Sequence, residues 1–206
     1  MFDLDGVLVD SDASVVDAWT RWAVARDLDP AAVIDVCHGQ PSRATVRVFV
    51  DPSDEAAALA DIDRIELDLA GEASALPGAR ALLASLPPGA WGVFTSGTRA
   101  LATARLAACG IAPPPVFITA DDVANGKPNP DGYRLALARL GAAPASSVVI
   151  EDAPNGIAAA RAAAIATVIG IGPRALGAPV DAVVDDLGAV AWDGGRLRVR
   201  GEARLA

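Results

Sequence analysis

The apolar positions of this chain change their spacing twice. Residues 2–9 form a short apolar run, interrupted only by Asp3, Asp5 and Gly6, and read as a buried strand. From Asp12 to Asp27 the residues Val15, Val16, Trp19, Trp22 and Ala23 recur three and four apart, the spacing of a helix. The same spacing predicts helices over 31–37, 42–50 and 54–70, the last carrying Asp61, Asp63, Glu66 and Asp68. Beyond Pro77 and Gly78, helix and strand patterns alternate: helices over 79–86, 99–109, 131–140 and 155–164, strands over 91–95, 116–118, 147–150, 166–170 and 181–184. From Trp192 to Arg200 the chain reads as a turn and a short edge strand with three solvated arginines.

Alternation of this kind predicts an α/β protein: a Rossmann-like parallel sheet core with helices on both faces. Residues 1–11 and 77–206 make that core, and residues 12–76 are an all-helical domain inserted after the first strand. The 206 residues suffice for one core and a small second domain.

Composition narrows the partners. The net charge of −9 repels nucleic acid and anionic membranes, so neither is expected as a partner. No apolar run is long enough to span a bilayer, and no signal peptide opens the chain. Cys37 and Cys109 are isolated, without metal-ligand spacing, and read as reduced thiols of a cytoplasmic protein. A monomer or weak dimer is expected. Of 17 basic residues only Lys127 is a lysine. In so Arg-rich a chain, a retained lysine hints at a place that needs a compact point charge.

In an open parallel sheet, ligands bind beyond the carboxyl ends of the strands. The predicted strand ends carry Asp3-Leu4-Asp5-Gly6, then Thr95-Ser96-Gly97, then the loop Asn125-Gly126-Lys127-Pro128-Asn129-Pro130, then Glu151-Asp152. Each has an ordinary reading as a turn, a helix cap or a loop. Together on one rim they make a different object. Clustered carboxylates need a divalent cation or raised pKa values. Oxygen ligands without histidine suit Mg²⁺. A hydroxyl, backbone amides and a lysine can cradle a phosphoryl group, one carboxylate can attack phosphorus, and another can move protons.

The four segments, Phe2 to Ser11, Phe94-Thr95-Ser96-Gly97-Thr98, Gly126 to Pro130 and Ile150 to Gly156, resemble in order the four motifs of the haloacid dehalogenase superfamily. The helical insertion matches that family's cap domain in position. The resemblance implies that Asp3 is the nucleophile that forms an aspartyl-phosphate. Asp5 is then the general acid and, later, the base. Thr95, Ser96 and the following amides hold phosphate oxygens, and Lys127 bridges the phosphate and Asp3. Asp3, Asp152 and the Asp5 carbonyl bind Mg²⁺, with Glu151 assisting.

Within the family, Asp5 argues against a dehalogenase, which lacks this second acid. Sugar phosphomutases of the family carry a cap histidine about ten residues after that acid, where this chain has Val15. The phosphonatase branch uses a cap lysine, which is absent here. Thr95 to Thr98 and the cap pair His38-Gly39 resemble sugar- and polyol-phosphate phosphatases. The expected activity is hydrolysis of a small phosphorylated metabolite, with a sugar phosphomutase or a phosphoglycolate-type phosphatase as alternatives. An aspartate-phosphorylated signalling domain uses similar residues, but its phosphorylated aspartate ends a later strand. His38 and Gly39 either face the substrate or are structural. Arg43 is either a substrate contact or a surface charge. Asp10, Ser11 and residues 76–78 are the expected hinges of the cap. Only Met1 and Phe2 precede Asp3, so the first strand is expected to be short. The family's usual glycine is Ala164 here, which costs roughly 1 kcal/mol if that position needs a positive φ.

Overall fold

The computed structural model describes residues 1–38 and 40–200. The parallel sheet is built around the first three residues. The Phe2 amide donates to Gly92 O at 2.9 Å and the Phe94 amide to Phe2 O at 3.0 Å. On the other side, the Asp3 amide donates to Ile150 O and the Ile150 amide to Met1 O, both at 3.0 Å. This short segment therefore lies between strands β3 (Gly92–Phe94) and β5 (Val148–Glu151). β3 pairs in parallel with β4 (Val116–Ile118), and β5 with β6 (Thr167–Ile171), which pairs with β7 (Ala182–Val184).

Successive side chains of a strand point to opposite faces, and the two cores divide accordingly. Val93, Phe117, Ile150 and Ile169 enter one cluster with Leu82 and Leu83 of α5 (Ala79–Ser85) and Leu106 of α6 (Arg99–Ala108). Phe94, Ile118, Val149 and Val168 enter the other with Tyr133 of α7 (Asp131–Leu140) and Ile157 of α8 (Pro154–Ala162). Because both faces are covered, the strands read as apolar runs rather than alternating ones.

Between β1 (Val9–Asp10) and β2 (Ser74–Ala75) the chain forms α1 (Asp12–Val24), α2 (Pro30–Cys37), α3 (Ser42–Phe49) and α4 (Glu55–Leu69). These helices have a core of their own, centred on Trp19, Trp22, Val33, Val46 and Ile62. The two indoles meet edge to face with centroids 5.3 Å apart, and Trp22 Nε1 donates to Ala58 O at 2.8 Å. β1 and β2 pair antiparallel, Val9 opposite Ala75 and Asp10 opposite Ser74, so entry and exit of the insertion lie side by side. After β7, β8 (Val190–Trp192) and β9 (Leu197–Val199) make an antiparallel hairpin.

Two expectations are corrected. Residues 2–9 are not one strand: after Asp3 the chain turns, with the Leu8 and Val9 amides both donating to Leu4 O, at 2.9 and 3.0 Å. Leu4, Val7 and Leu8 are fully buried within that turn, so the apolar pattern reports burial rather than a ladder. The first cap helix stops at Val24 instead of continuing to Asp27, which takes a left-handed φ of 55°.

Candidate active site

The carboxyl ends of the sheet place the sequence motifs around one cavity of about 80 Å³, lined among others by Asp3, Asp5, Thr95, Ser96, Lys127, Glu151 and Asp152. Asp3 follows directly from the central segment of the sheet and is buried. The turn behind it depends on Gly6, whose φ is +77° and where a Cβ would stand 2.2 Å from Asp152 Oδ2. Asp5 turns to other partners: its Oδ1 accepts from Ser11 Oγ at 2.7 Å and from Arg105 Nη1 at 3.0 Å.

Thr95 follows β3 directly and is 1% exposed; its Oγ1 accepts from the Gly97 amide at 3.1 Å, which fixes the turn. The neighbouring Ser96 Oγ is buried without a hydrogen-bond partner. A buried hydroxyl left so calls for an explanation, and a phosphoryl oxygen supplies one. Thr98 then caps α6.

Lys127 is the buried cation of the site. Its Nζ contacts Asp3 Oδ1, lies 2.6 Å from Glu151 Oε1, and sits 4.9 Å from the centroid of the Phe94 ring. Burial works against its charge, but Asp3 and Glu151 outweigh it and hold the ammonium above the ordinary lysine range. Glu151 is fully buried and fully engaged. Oε1 accepts from Lys127 and from Tyr133 Oη at 3.1 Å, and Oε2 from the amides of Asp152 and Ala153 at 3.0 and 3.1 Å. α8 packs this close only because residue 156 is glycine; a Cβ there would meet Glu151 Oε1 at 1.6 Å. Asp152 Oδ2 accepts from Arg174 Nη2 at 2.7 Å and Nε at 3.1 Å, while Arg174 Nη1 reaches Asp12 of the insertion at 3.1 Å.

Asp3, Glu151 and Asp152 each offer a carboxylate oxygen within 4.8 Å of the others. Burial pushes the Asp3 carboxyl up; Lys127 opposes this, while Glu151 and Asp152 add to it. Burial and Glu151 push Asp152 up to about 7, against Arg174. A buried, oxygen-only trio whose charges destabilise one another is a fit for a hard divalent cation.

The cap residues divide. His38 follows α2 and lines the cavity, half-buried; burial and then Arg174 push its imidazole below the ordinary range. Gly39 lies outside the described residues. Arg43 is exposed on α3, pairs with Glu55 at 3.3 Å, and faces a neighbouring cleft rather than the cavity of Asp3 and Asp5.

Four residues of the site were not singled out by the sequence motifs: Glu66, Arg105, Tyr133 and Arg174. Arg105 shares the buried face of α6 with Leu101, Ala102 and Leu106, and Glu66 shares that of α4 with Ala58, Ile62 and Leu69. A charge on an apolar stripe is the signal that could have found them. Tyr133 sits likewise among the buried residues of α7, and Arg174 follows Gly172 and Pro173 in a short 3₁₀ turn that gives no such signal.

The arrangement sets a buried carboxylate that could act as a nucleophile beside a fixed ammonium, with a second carboxylate able to move protons, hydroxyl groups, and three carboxylates that could hold a cation. A family model described as haloacid dehalogenase-like hydrolase matches residues 1–164. Hexitol phosphatase A of Escherichia coli (strain K12) is 42% identical over 168 residues, covering 79% of this chain and 78% of that protein. 2-Deoxyglucose-6-phosphate phosphatase 1 of Saccharomyces cerevisiae is 35% identical over 193 residues, covering 82% and 77%. The crystal structure of a hydrolase from Pseudomonas syringae superposes with a TM-score of 0.76 at 27% identity, covering 90% of this chain and 92% of that one.

Proposed function

This chain belongs to the haloacid dehalogenase-like hydrolase family, and on that premise we propose that it is a Mg²⁺-dependent phosphatase of a small sugar or polyol phosphate. The observation that carries the reading is one cavity reached by both Asp3, seated on Lys127, and Asp5, with helical-insert residues His38, Gln40 and Glu66 on its wall. The names of the relatives support the substrate class.

Asp3, Asp152 and the Asp5 carbonyl would hold Mg²⁺, with Glu151 beside them, and the ion would supply charge neutralisation at the phosphoryl oxygens. Lys127, Ser96 and the amides after Thr95 bind and orient the phosphoryl group. The Asp3 carboxylate attacks phosphorus, the bond to the leaving oxygen breaks, and Asp5 delivers a proton to that oxygen. Asp5 then takes a proton from water as the water attacks phosphorus, the bond to Asp3 breaks, and phosphate leaves. The helical insert closes over the cavity and excludes bulk water during the first step.

Val15 supports a hydrolase over a phosphomutase: it lines the cavity where the mutases carry histidine, and offers no group to move a proton. The compartment is read as cytoplasmic, a reading that the free, buried thiols of Cys37 and Cys109 support. No helix among the described residues is long and apolar enough to cross a membrane.

The test is phosphate release from a panel of sugar, polyol and glycolate phosphates with Mg²⁺, comparing wild type with Asp3→Asn. Release that requires both Asp3 and Mg²⁺ is expected. Release that survives Asp3→Asn would remove the proposed nucleophile.

A further inference from the structure

We propose that Glu66 and Arg105 together bind the hydroxyl groups of an uncharged leaving group and so select polyol and sugar phosphates over esters whose leaving group carries a second anion. This rests on the phosphatase reading and names the substrate class for that site.

Glu66 comes from α4 of the insert and Arg105 from α6 of the core, so the pair spans the seam between them. Arg105 Nη2 stands 3.4 Å from Glu66 Oε1, with side chains 4% and 6% exposed, and both residues line the cavity that holds Asp3 and Asp5. Their hydrogen-bonding capacity is not used up. Arg105 gives Nη1 to Asp5 and Nη2 to Glu66, while its Nε is buried without a partner. Glu66 accepts from Arg105 and, at 3.1 Å, from Ser42 Oγ; a carboxylate has roughly four lone-pair positions, so acceptor sites remain. A donor lacking an acceptor beside an acceptor with spare capacity matches a group that is both, and the hydroxyls of a polyol or sugar are such groups. Trp19 and Val15, which line the same cavity, offer apolar surface to the carbon skeleton between hydroxyls.

Charge gives the selectivity. With Asp5 carrying the proton it is to deliver, Glu66 and the Arg105 guanidinium balance one another, so the pair offers no net positive charge. Arg174, the other arginine lining the cavity, is committed to Asp152 and Asp12. A leaving group with its own carboxylate or phosphate would be buried there without a free cation to pair with. A neutral polyol meets hydrogen-bond partners only.

The test compares kcat/KM for a hexitol phosphate and for 2-phosphoglycolate in wild type and in Glu66→Gln. Wild type is expected to prefer the hexitol phosphate. In the variant the ratio falls about tenfold or more, through a higher KM for the hexitol phosphate and better use of phosphoglycolate, as expected for losing one charged hydrogen-bond partner. Arg105→Lys, which keeps the charge but lacks Nε, is expected to move the ratio the same way. If both activities fall by one common factor, or the ratio stays put, the pair is only a structural tie and the proposal fails. A wild type that prefers phosphoglycolate overturns it whether or not the variants fold. If wild type releases phosphate from neither ester nor from p-nitrophenyl phosphate with Mg²⁺, the phosphatase reading fails as well.

Discussion

The Tyr133 hydroxyl donates to Glu151 Oε1 at 3.1 Å, and Lys127 Nζ reaches the same oxygen at 2.6 Å. One buried carboxylate thus receives the lysine of the site and a tyrosine from α7. Lys127 also lies 5.7 Å from the Tyr133 ring centroid, so the tyrosine steadies the ammonium by two routes. Tyr133→Phe keeps the ring and removes one donor. It should lower stability by about 1 kcal/mol, read as a melting temperature lower by about 2–4 °C, and reduce kcat severalfold with little change in KM. An unchanged kcat would show that the Phe94 ring and the remaining contacts hold Lys127 unaided.

Asp5→Asn removes the proposed proton donor but keeps the shape. Turnover of an alkyl phosphate should fall about 10²–10⁴-fold. The loss should be much smaller for p-nitrophenyl phosphate, whose leaving group departs without a proton. Equal losses on the two substrates would assign Asp5 to positioning instead.

The carboxylate trio should make stability depend on pH and on a divalent cation, where one is bound. Asp152 is pushed up to about 7 by burial and Glu151, and Asp3 is raised as well. Below the ordinary aspartate range these groups are protonated in both folded and unfolded chains. As pH rises past it, the unfolded chain gives up its protons first. The ion-free protein should therefore lose stability progressively between about pH 4 and pH 7 from these groups. Millimolar Mg²⁺ should raise the melting temperature at pH 7.5 by several degrees, and less at pH 5. Melting curves that coincide at pH 7.5 with and without Mg²⁺ would argue against the cation site.

Ala164 sits at φ 58° just past α8. Its amide donates to Arg161 O at 2.9 Å and the Ile165 amide to Ala160 O at 3.2 Å, the pair of bonds that closes a helix with a left-handed residue. Alanine pays a steric cost there of roughly 1–2 kcal/mol, partly offset by its stiffer unfolded chain. Since the side chain is exposed, Ala164→Gly should stabilise by about 0.5–1 kcal/mol, with catalysis unchanged. Thermal melting checks it; a lower melting temperature would mean that the entropy of glycine dominates.

The helices were legible because burial on one face leaves its period in the apolar residues: α3 and α7 match their expected ranges to within a residue. The strand ends were legible because each carries a chemically distinctive group after an apolar run. Residues 2–9 were not, because a tightly buried turn and a strand leave the same apolar composition, and Gly6 was the only mark of the difference. Arg174 escaped because its partners, Asp12 and Asp152, lie far from it along the chain and meet it only in the fold. Glu66 and Arg105 were visible as charges on buried stripes, but the stripes belong to different elements. Nothing local says that they face one another.

The β1–β2 ribbon sets Val9 beside Ala75 and Asp10 beside Ser74, so the two ends of the helical insert leave the core as neighbours. To the core, everything between them is a hairpin loop whose closure cost grows only slowly with its length. Asp3, Asp5 and Lys127 lie outside that loop, while Glu66, His38 and Trp19 lie within it. Half of the proposed selectivity is therefore a detachable part of this molecule: exchanging the insert at this two-residue seam would replace Glu66 and leave Arg105, Asp3, Asp5 and Lys127 in the core.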